Sequence, residues 1–284
     1  MNGRTLSTRA IAPRIRAAAL CLAFAASCGA ALGAEPRREA HLDHADGITA
    51  TFSIVAVDPD GGVCGAAVAS KYPAVGRVVP YVRAGVGAFC TQHWHEPKWG
   101  PPALDALADG KSPQQVLADL IKDDPQRDQR QLAIIDMQGR TAQHNPTAAD
   151  GKSLYWGAMS GRFYACQGNT LAGRDVVTSM GKAYEETNGS LADKLIAALV
   201  AADAAGGDHR GRLAAGIRVA KKGVEGDWLY LGVNESDDAV TELAKKYIEI
   251  DHEAKGNKGK WKDDKPPFQL PKARSATEIP RRDP

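Results

Sequence analysis

The stretch between residues 51 and 70 reads Thr51-Phe-Ser-Ile-Val-Ala-Val-Asp58, Pro59-Asp-Gly-Gly62 and Val63-Cys-Gly-Ala-Ala-Val-Ala-Ser70. The first part is rich in β-branched residues, the middle part has turn composition, and the last part is a strand of small residues. The stretch therefore predicts a β-hairpin. Small side chains let a neighbouring layer approach closely, so we expect both faces of this hairpin to be covered.

Further strands are predicted on both sides of helical segments. Pro80 favours an edge position for its strand, because proline donates no hydrogen bond to a neighbouring strand. Gln138-Gly139 has turn composition and joins another predicted pair. The predicted strands span residues 78–84, 86–91, 130–136, 141–144, 164–168, 213–220 and 228–232.

Helices are predicted where apolar residues recur every three to four positions, the spacing of one helix face. Ser112 and Ser190 are placed as N-caps, and Pro113 fits the first turn after Ser112. The predicted helices span residues 103–107, 112 to about 123, and 174–187, with two more that start at 190 and 237. Strands cluster in hairpins and helices follow in pairs, so the sequence predicts an α+β fold with antiparallel sheets covered by helices.

Composition limits the classes of partner. The 284 residues carry 36 Lys and Arg against 34 Asp and Glu, a net charge of +2, so we expect no nucleic acid as a partner. A hydrophobic fraction of 43%, with 29 Gly and 16 Pro, is typical of a globular, turn-rich domain.

The N-terminal residues have the pattern of a signal peptide, predicted to span residues 1–34. Arginines precede the apolar run 17–26, and small residues follow it. The run is too short to cross a bilayer comfortably, so we expect no stable membrane span and a secreted or periplasmic protein. A lipoprotein, attached through Cys28, is the less favoured alternative. Residues 35–49 are predicted to form a linker.

The C-terminal residues 253–284 are rich in Lys, Asp and Pro and predict a flexible tail. Trp261 and Phe268 are the side chains that could anchor it. The cysteines outside the signal peptide are Cys64, Cys90 and Cys166. We expect three buried thiols, with one disulfide and one free thiol as the alternative.

Several motifs, taken in order, resemble a known family. They are Thr51-Phe-Ser-Ile-Val, Ala69-Ser-Lys-Tyr-Pro-Ala-Val-Gly76, Ala84-Gly-Val-Gly-Ala with Cys90-Thr-Gln92, Gln167-Gly-Asn-Thr-Leu-Ala-Gly173 and Gly206-Gly-Asp-His-Arg-Gly211. This set resembles the domain-of-unknown-function family 1028 over residues 50–222. Residues 223–252 are expected to add a closing strand and a C-terminal helix.

That family is similar to the N-terminal-nucleophile (Ntn) hydrolases. The resemblance implies a four-layer α-β-β-α sandwich, with two antiparallel sheets between helix pairs. It also implies hydrolysis of an amide or peptide-like bond, γ-glutamyl bonds included, in a small extracytoplasmic substrate and without a cofactor. Whether the protein forms a homo-oligomer is left open.

The resemblance makes Thr51 the nucleophile. In such enzymes the residue's own α-amino group, with a pKa of about 7.7–8.0, acts as the base. Ser53 lies on the same face, because side chains two apart in a strand point the same way. An internal threonine has no free amine, so the mechanism requires a cut between Ala50 and Thr51. The stretch that matches the family's lysine is Val78-Val79-Pro80, so the positive charge beside the nucleophile comes from Lys71 or Arg83, or is absent.

The resemblance places other site residues by position. Thr91 and Gln92 are candidates for an oxyanion hole, Ser70, Gln167 and Asn169 for substrate binding, and Asp208 with Arg210 for positioning the nucleophile. Leu213-Ala214 departs from the family pattern, which usually has Gln-Ser there.

Two other function classes fit parts of the sequence. A metal enzyme would use His93 and His95 with the adjacent Glu96, but no third ligand stands at a recognisable spacing, and we expect no metal. A secreted binding protein that keeps the fold without turnover is the stronger alternative to an enzyme.

Overall fold

Two antiparallel sheets and five helices form the described part of the chain in this computed structural model, which covers residues 51–146, 155–250 and 265–270. All of these residues belong to one compact unit, His44–Pro284. The predicted signal peptide (1–34), the linker (35–49) and Trp261 lie outside the described residues.

The larger sheet has six strands and contains the predicted hairpin. Its order is β10-β9-β2-β1-β8-β7. Thr51 pairs with Ser70 and Asp58 with Val63, so the hairpin prediction is confirmed. The strands are β1 (Thr51–Asp58), β2 (Val63–Ser70), β7 (Gly157–Gly161), β8 (Tyr164–Asn169), β9 (Ala214–Lys221) and β10 (Leu229–Val233).

The smaller sheet has four strands in the order β3-β4-β5-β6. Pro80 begins β3 at the edge of this sheet, as its missing N–H predicts. The strands are β3 (Pro80–Arg83), β4 (Gly87–His93), β5 (Arg130–Asp136) and β6 (Thr141–His144).

Two of the five helices, α2 and α4, begin at the predicted caps Ser112 and Ser190. Ser112 Oγ accepts the Gln115 N–H, and Ser190 Oγ accepts the Asp193 N–H. In return, the Ser112 N–H donates to Gln115 Oε1 and the Ser190 N–H donates to Asp193 Oδ2, which completes a capping box at each helix. Of the helices described, none has the length and apolar character needed to cross a membrane. They are α1 (Gly100–Ala108), α2 (Pro113–Ile121), α3 (Asp175–Glu186), α4 (Leu191–Ala204) and α5 (Ala239–Glu249).

Strand alternation sorts the apolar side chains into three clusters. The first joins the larger sheet to α3, α4 and α5, with Phe52 and Leu195 among its members. The second lies between the two sheets and includes Val55 and Ile135. The third joins the smaller sheet to α1 and α2. Both faces of the β1–β2 hairpin are therefore covered, as its small residues predict.

The C-terminal parts of the chain extend this arrangement. β10 pairs with β9 and so completes the larger sheet. Phe268 is buried in the first cluster, with its ring 6.3 Å from that of Tyr247, so this predicted anchor packs on α5. Cys64, Cys90 and Cys166 are free and buried, as expected.

Two glycines bring a turn against the larger sheet. A Cβ on Gly216 of β9 would lie 2.5 Å from the Cα of Gly76, in the short turn after β2. The atom that the added Cβ would meet belongs to the backbone of Gly76, which cannot rotate away as a side chain can.

We therefore expect Gly216→Ala to lower the free energy of unfolding by about 1–3 kcal/mol, the usual cost of overpacking. Denaturant titration of both proteins measures the difference. Gly173→Ala is the control, because a Cβ there meets nothing within 4 Å. Equal stability of the Gly216→Ala protein and the unaltered chain would contradict this packing.

Candidate functional site

The layer between the two sheets is apolar along most of its length and polar at one end. The polar end lies where β1 and β5 begin and where β2, β4 and β8 end, because antiparallel pairing aligns these termini. We call the side chains here the polar cluster. Its members are fully buried: Thr51, Ser53, Ser70, Gln92, Gln131, Gln167 and Asn169.

Gln131 is the centre of the polar cluster. Its Oε1 accepts hydrogen bonds from Gln92 Nε2 at 2.7 Å and from Asn169 Nδ2 at 2.9 Å. Its Nε2 donates to the carbonyl of Gly168 at 3.0 Å and to Asn145 Oδ1 at 2.9 Å. One amide therefore joins the two sheets and satisfies groups from both.

The hydroxyl groups of β1 lie beside this amide network. Thr51 Oγ1 donates to Ser70 Oγ at 3.2 Å, and the Thr51 carbonyl accepts from Gln92 Nε2 at 3.2 Å. Ser53 Oγ donates to Gln92 Oε1 at 2.6 Å and accepts from Gln167 Nε2 at 3.4 Å. The structure thus brings together Thr51, Ser53, Ser70 and Gln92, all candidates from the sequence.

One acceptor in the polar cluster is left over. Gln167 Oε1 is buried and has no hydrogen-bond partner in the described part of the chain. A buried carbonyl oxygen without a donor costs about 1–3 kcal/mol. An N–H donor from a ligand would remove that cost.

A left-handed residue directly follows Gln92 of β4 and Asn169 of β8. His93 has φ 64° directly after Gln92, and Thr170 has φ 50° directly after Asn169. This conformation is disfavoured for residues with a Cβ and turns the chain away from the strand direction. The His93 ring packs on Trp156, 5.8 Å between centroids, next to the polar cluster.

Other sequence candidates lie apart from the polar cluster. Thr91 faces the opposite side of β4 from Gln92, because adjacent residues of a strand alternate. Its Oγ1 accepts the Glu96 N–H at 3.0 Å, and its N–H donates to Val79. The Thr91 amide is therefore engaged already and is not poised as an oxyanion donor.

The structure does not bring a lysine into the network. Lys71 follows Ser70 and is half-buried, but no hydrogen bond or ion pair within the described residues links it to the polar cluster. Arg83 forms an ion pair with Asp105 at 2.7 Å on the far side of the smaller sheet. Neither of these two residues therefore provides the expected positive charge beside Thr51.

The loop from Gly206 to Leu213 crosses the beginning of β1. Asp208 pairs with Leu171, and the His209 N–H donates to the Thr170 carbonyl at 3.1 Å. The Leu171 N–H donates to the Tyr155 carbonyl, on the side of β8 that carries β7. Asp208 therefore lies on the opposite side of β8, the side that carries β1. At its end the loop donates from Leu213 N–H to the Ser70 carbonyl.

Asp208 stands opposite Leu171, two positions beyond Asn169, the partner of Thr51. Asp208 Oδ1 accepts the Arg210 N–H at 2.9 Å and lies 3.4 Å from Arg210 Nε. Burial raises the pKa of the Asp208 carboxyl, and the Arg210 charge offsets part of that rise.

The two histidines proposed as metal ligands have different aromatic neighbours. His93 stacks near Trp156, and His95 lies 6.0 Å from the Tyr72 ring. Glu96 Oε1 accepts the Lys98 N–H in a short helical turn. Among the residues that the structure describes, no group of three or more His, Cys, Asp or Glu converges.

Gln131 is the functional candidate that the sequence analysis missed. Its strand alternates, so residue 131 shares the face of Ala133 and Ile135, which lies between the sheets. A glutamine at the end of an apolar face was the available signal. Its partners could not be found from that signal, because they come from distant strands.

We expect Gln131→Leu to lower the free energy of unfolding by about 1–3 kcal/mol for each buried N–H that it leaves unpaired, those of Gln92 and Asn169 being the first affected. Thermal denaturation measures the loss. The control is Gln114→Leu, since Gln114 is exposed and its side chain donates to the Thr141 carbonyl. Equal losses in the two variants would contradict a central role for Gln131.

Comparisons with known proteins agree with the resemblance in the motifs. No curated protein matches the chain. A crystal structure of a Silicibacter pomeroyi protein, described as belonging to family DUF1028, is 26% identical with a TM-score of 0.65, over 74% of this chain and 94% of that one. The model of the family of unknown function DUF1028 matches residues 51–243, which extends past the predicted limit at 222 and includes β10. The chain therefore belongs to the DUF1028 family.

Proposed function

We propose that this protein is a secreted amide hydrolase of the N-terminal-nucleophile type, with Thr51 as its nucleophile. The observation that carries the proposal is the position of Thr51 at the first residue of β1, inside the polar cluster. The family match begins at the same residue. The substrate class is a small amide or peptide-like compound outside the cytoplasm, γ-glutamyl amides included.

The layering of the fold supports this proposal. Helices cover the outer face of each sheet, and the inner faces pack on each other through the second apolar cluster. We propose that this is the four-layer α-β-β-α sandwich of the Ntn hydrolases. In that sandwich the nucleophile begins a central strand. In the larger sheet β1 is central, with three strands on one side and two on the other.

The chemistry requires a free amine at Thr51. After a cut between Ala50 and Thr51, the α-amine takes the hydroxyl proton as Thr51 Oγ1 attacks the substrate carbonyl carbon. The amine then gives the proton to the leaving nitrogen, and an ester to Thr51 forms as the C–N bond breaks. Water hydrolyses that ester, which releases the acid and restores the hydroxyl.

The polar cluster supplies groups for substrate and for orientation. Ser70 Oγ accepts the Thr51 hydroxyl hydrogen bond and fixes its direction. Gln167 Oε1 has no partner within the described residues and suits an N–H of the substrate. Asn169 Nδ2 donates one of its two hydrogens to Gln131 Oε1. Its second hydrogen can donate to the oxyanion that develops on the substrate.

A second candidate is a secreted binding protein without turnover. The observation that favours it is the complete burial of Thr51, with its hydroxyl engaged by Ser70. The mass of the exported protein separates the candidates. A terminus at Thr51 supports the hydrolase, whereas a terminus at Glu35 supports the binding protein.

We expect Thr51→Ala to lower amide hydrolysis by at least about a thousandfold, because it removes the attacking oxygen. Thr51→Ser keeps that oxygen and should retain measurable activity. The assay is a panel of amide and γ-glutamyl substrates with the protein as exported. Thr141→Ala is the control, since Thr141 begins a strand far from the polar cluster. Full activity in the Thr51→Ala protein would remove Thr51 from the mechanism.

A further inference from the structure

The hydrogen bonds that join Gln92, Ser53 and Gln167 have a fixed direction. An amide side chain donates from its nitrogen end and accepts at its oxygen end, so an amide between two other side chains can lie either way round. A backbone carbonyl can only accept, and an amide that faces one must present its nitrogen. Two such carbonyls adjoin the polar cluster and set the direction of its bonds.

Gln92 is oriented by these carbonyls. Its Nε2 donates to the Thr51 carbonyl at 3.2 Å and to Gln131 Oε1 at 2.7 Å. Gln131 is oriented in the same way, because its own Nε2 donates to the Gly168 carbonyl at 3.0 Å. Both hydrogens of Gln92 Nε2 are therefore used, and Gln92 Oε1 is the atom that faces Ser53.

Ser53 transmits this direction to Gln167. Its single hydrogen goes to Gln92 Oε1 at 2.6 Å. The Cys90 thiol also lies beside Ser53, but burial raises its pKa to about 12, so at neutral pH it is protonated and a weaker acceptor than an amide oxygen. Ser53 Oγ can then only accept from Gln167, whose Nε2 lies 3.4 Å away. Gln167 Oε1 must therefore face away from Ser53.

Gln167 Oε1 is the end of this series of bonds. It is buried and has no hydrogen-bond partner among the residues that the structure describes. Gln167 pairs with Ser53, and Asn169 pairs with Thr51 two positions further along the same strands. Gln167 and Thr51 thus lie on one face of the sheet in a diagonal relation, about 7–8 Å apart. A small substrate can reach both residues.

We propose that Ser53 is a positioning residue that holds the Gln167 amide with its oxygen toward the substrate, so that the site selects a ligand with an N–H group at this point. The inference rests on the proposed function for the identity of that ligand, an amide. An ester of the same shape presents only an acceptor, which would face the Gln167 oxygen with no hydrogen between them. The site thereby prefers amides to esters, and Gln92 acts through Ser53 without touching the substrate.

Two variants change the direction of the Gln167 amide in different ways. Ser53→Ala removes the group that holds the amide, which can then lie either way round. Gln92→Met removes the acceptor of the Ser53 hydrogen. The Ser53 hydroxyl then donates to Gln167 Oε1, and the amide turns over and presents Nε2 to the ligand. A variant that only loosens the fold would weaken the binding of every ligand and would not reverse a preference.

The first measurement needs no ligand. In NMR spectra of the isotope-labelled exported protein, we expect magnetisation transfer between the Gln167 amide protons and the β protons of Ser53. The transfer should be lost in the Gln92→Met protein. Ser160→Ala is the control and should keep it, because Ser160 is an exposed residue of β7. Absence of the transfer in the unaltered protein overturns the proposal.

The second measurement compares the binding of N-methylacetamide and methyl acetate. The two compounds have the same shape and differ in an N–H group against an oxygen atom. Binding to the Thr51→Ala protein, which lacks the attacking oxygen, is followed through the side-chain resonances of Gln167. We expect N-methylacetamide to bind about tenfold more tightly, the effect of one hydrogen bond. Adding Ser53→Ala should abolish this preference, and adding Gln92→Met should reverse it.

Equal binding of the two compounds to the Thr51→Ala protein, or no binding of N-methylacetamide, overturns the proposal. A preference that survives Ser53→Ala unchanged also overturns it, because Ser53 would then not hold the amide. None of these results depends on turnover. A protein that hydrolyses nothing in the amide panel but shows the reversal would be a binding protein for amides, with Ser53 still as its positioning residue.

Discussion

The pairing of buried amides around Gln131 is the constraint on which the rest of the site depends. Two sheets that pack face to face exclude water from the layer between them, so every polar group there needs a protein partner. Gln131 meets this requirement for Gln92 and Asn169 at once. Gln92 in turn holds both the Thr51 carbonyl and the Ser53 hydroxyl. The geometry at the start of β1 is therefore set by a side chain of the other sheet.

The same constraint makes the exceptions informative. In a network where most buried groups are satisfied, the free oxygens of Gln167 and Asp208 stand out within the described residues. Gln167 lies between the sheets, opposite Ser53, and Asp208 lies in the loop that crosses from β8 to β2. A neutral acceptor and a charged acceptor suit different donors, an amide N–H and a cation.

Local chemistry in the sequence was sufficient for most elements of the fold. Turn residues marked the β1–β2 hairpin, Pro80 marked an edge, and Ser112 and Ser190 marked helix starts. β7 was missed, because Gly157-Ala-Met-Ser-Gly161 has little β-propensity and is ordered by its pairing with β8. For the site, motif resemblance named Thr51 and Gln92, which lie together in the polar cluster, and also Thr91, which strand alternation puts on the opposite face of β4. Gln131 and the crossing of the 206–213 loop depend on contacts between distant strands, which a local pattern does not encode.

The strand order of the larger sheet has a consequence for how the protein acquires its structure. β1 and β2 are adjacent in the chain, but their outer neighbours, β8 and β9, come more than a hundred residues later. Pairing over such separations costs loop entropy before it brings stability, and it slows folding. The first hairpin to be synthesised must therefore wait, with both edges open, until the second half of the chain has emerged. During that interval it is the segment most exposed to wrong partners, and the small residues of β2 reduce that hazard at one of its two edges.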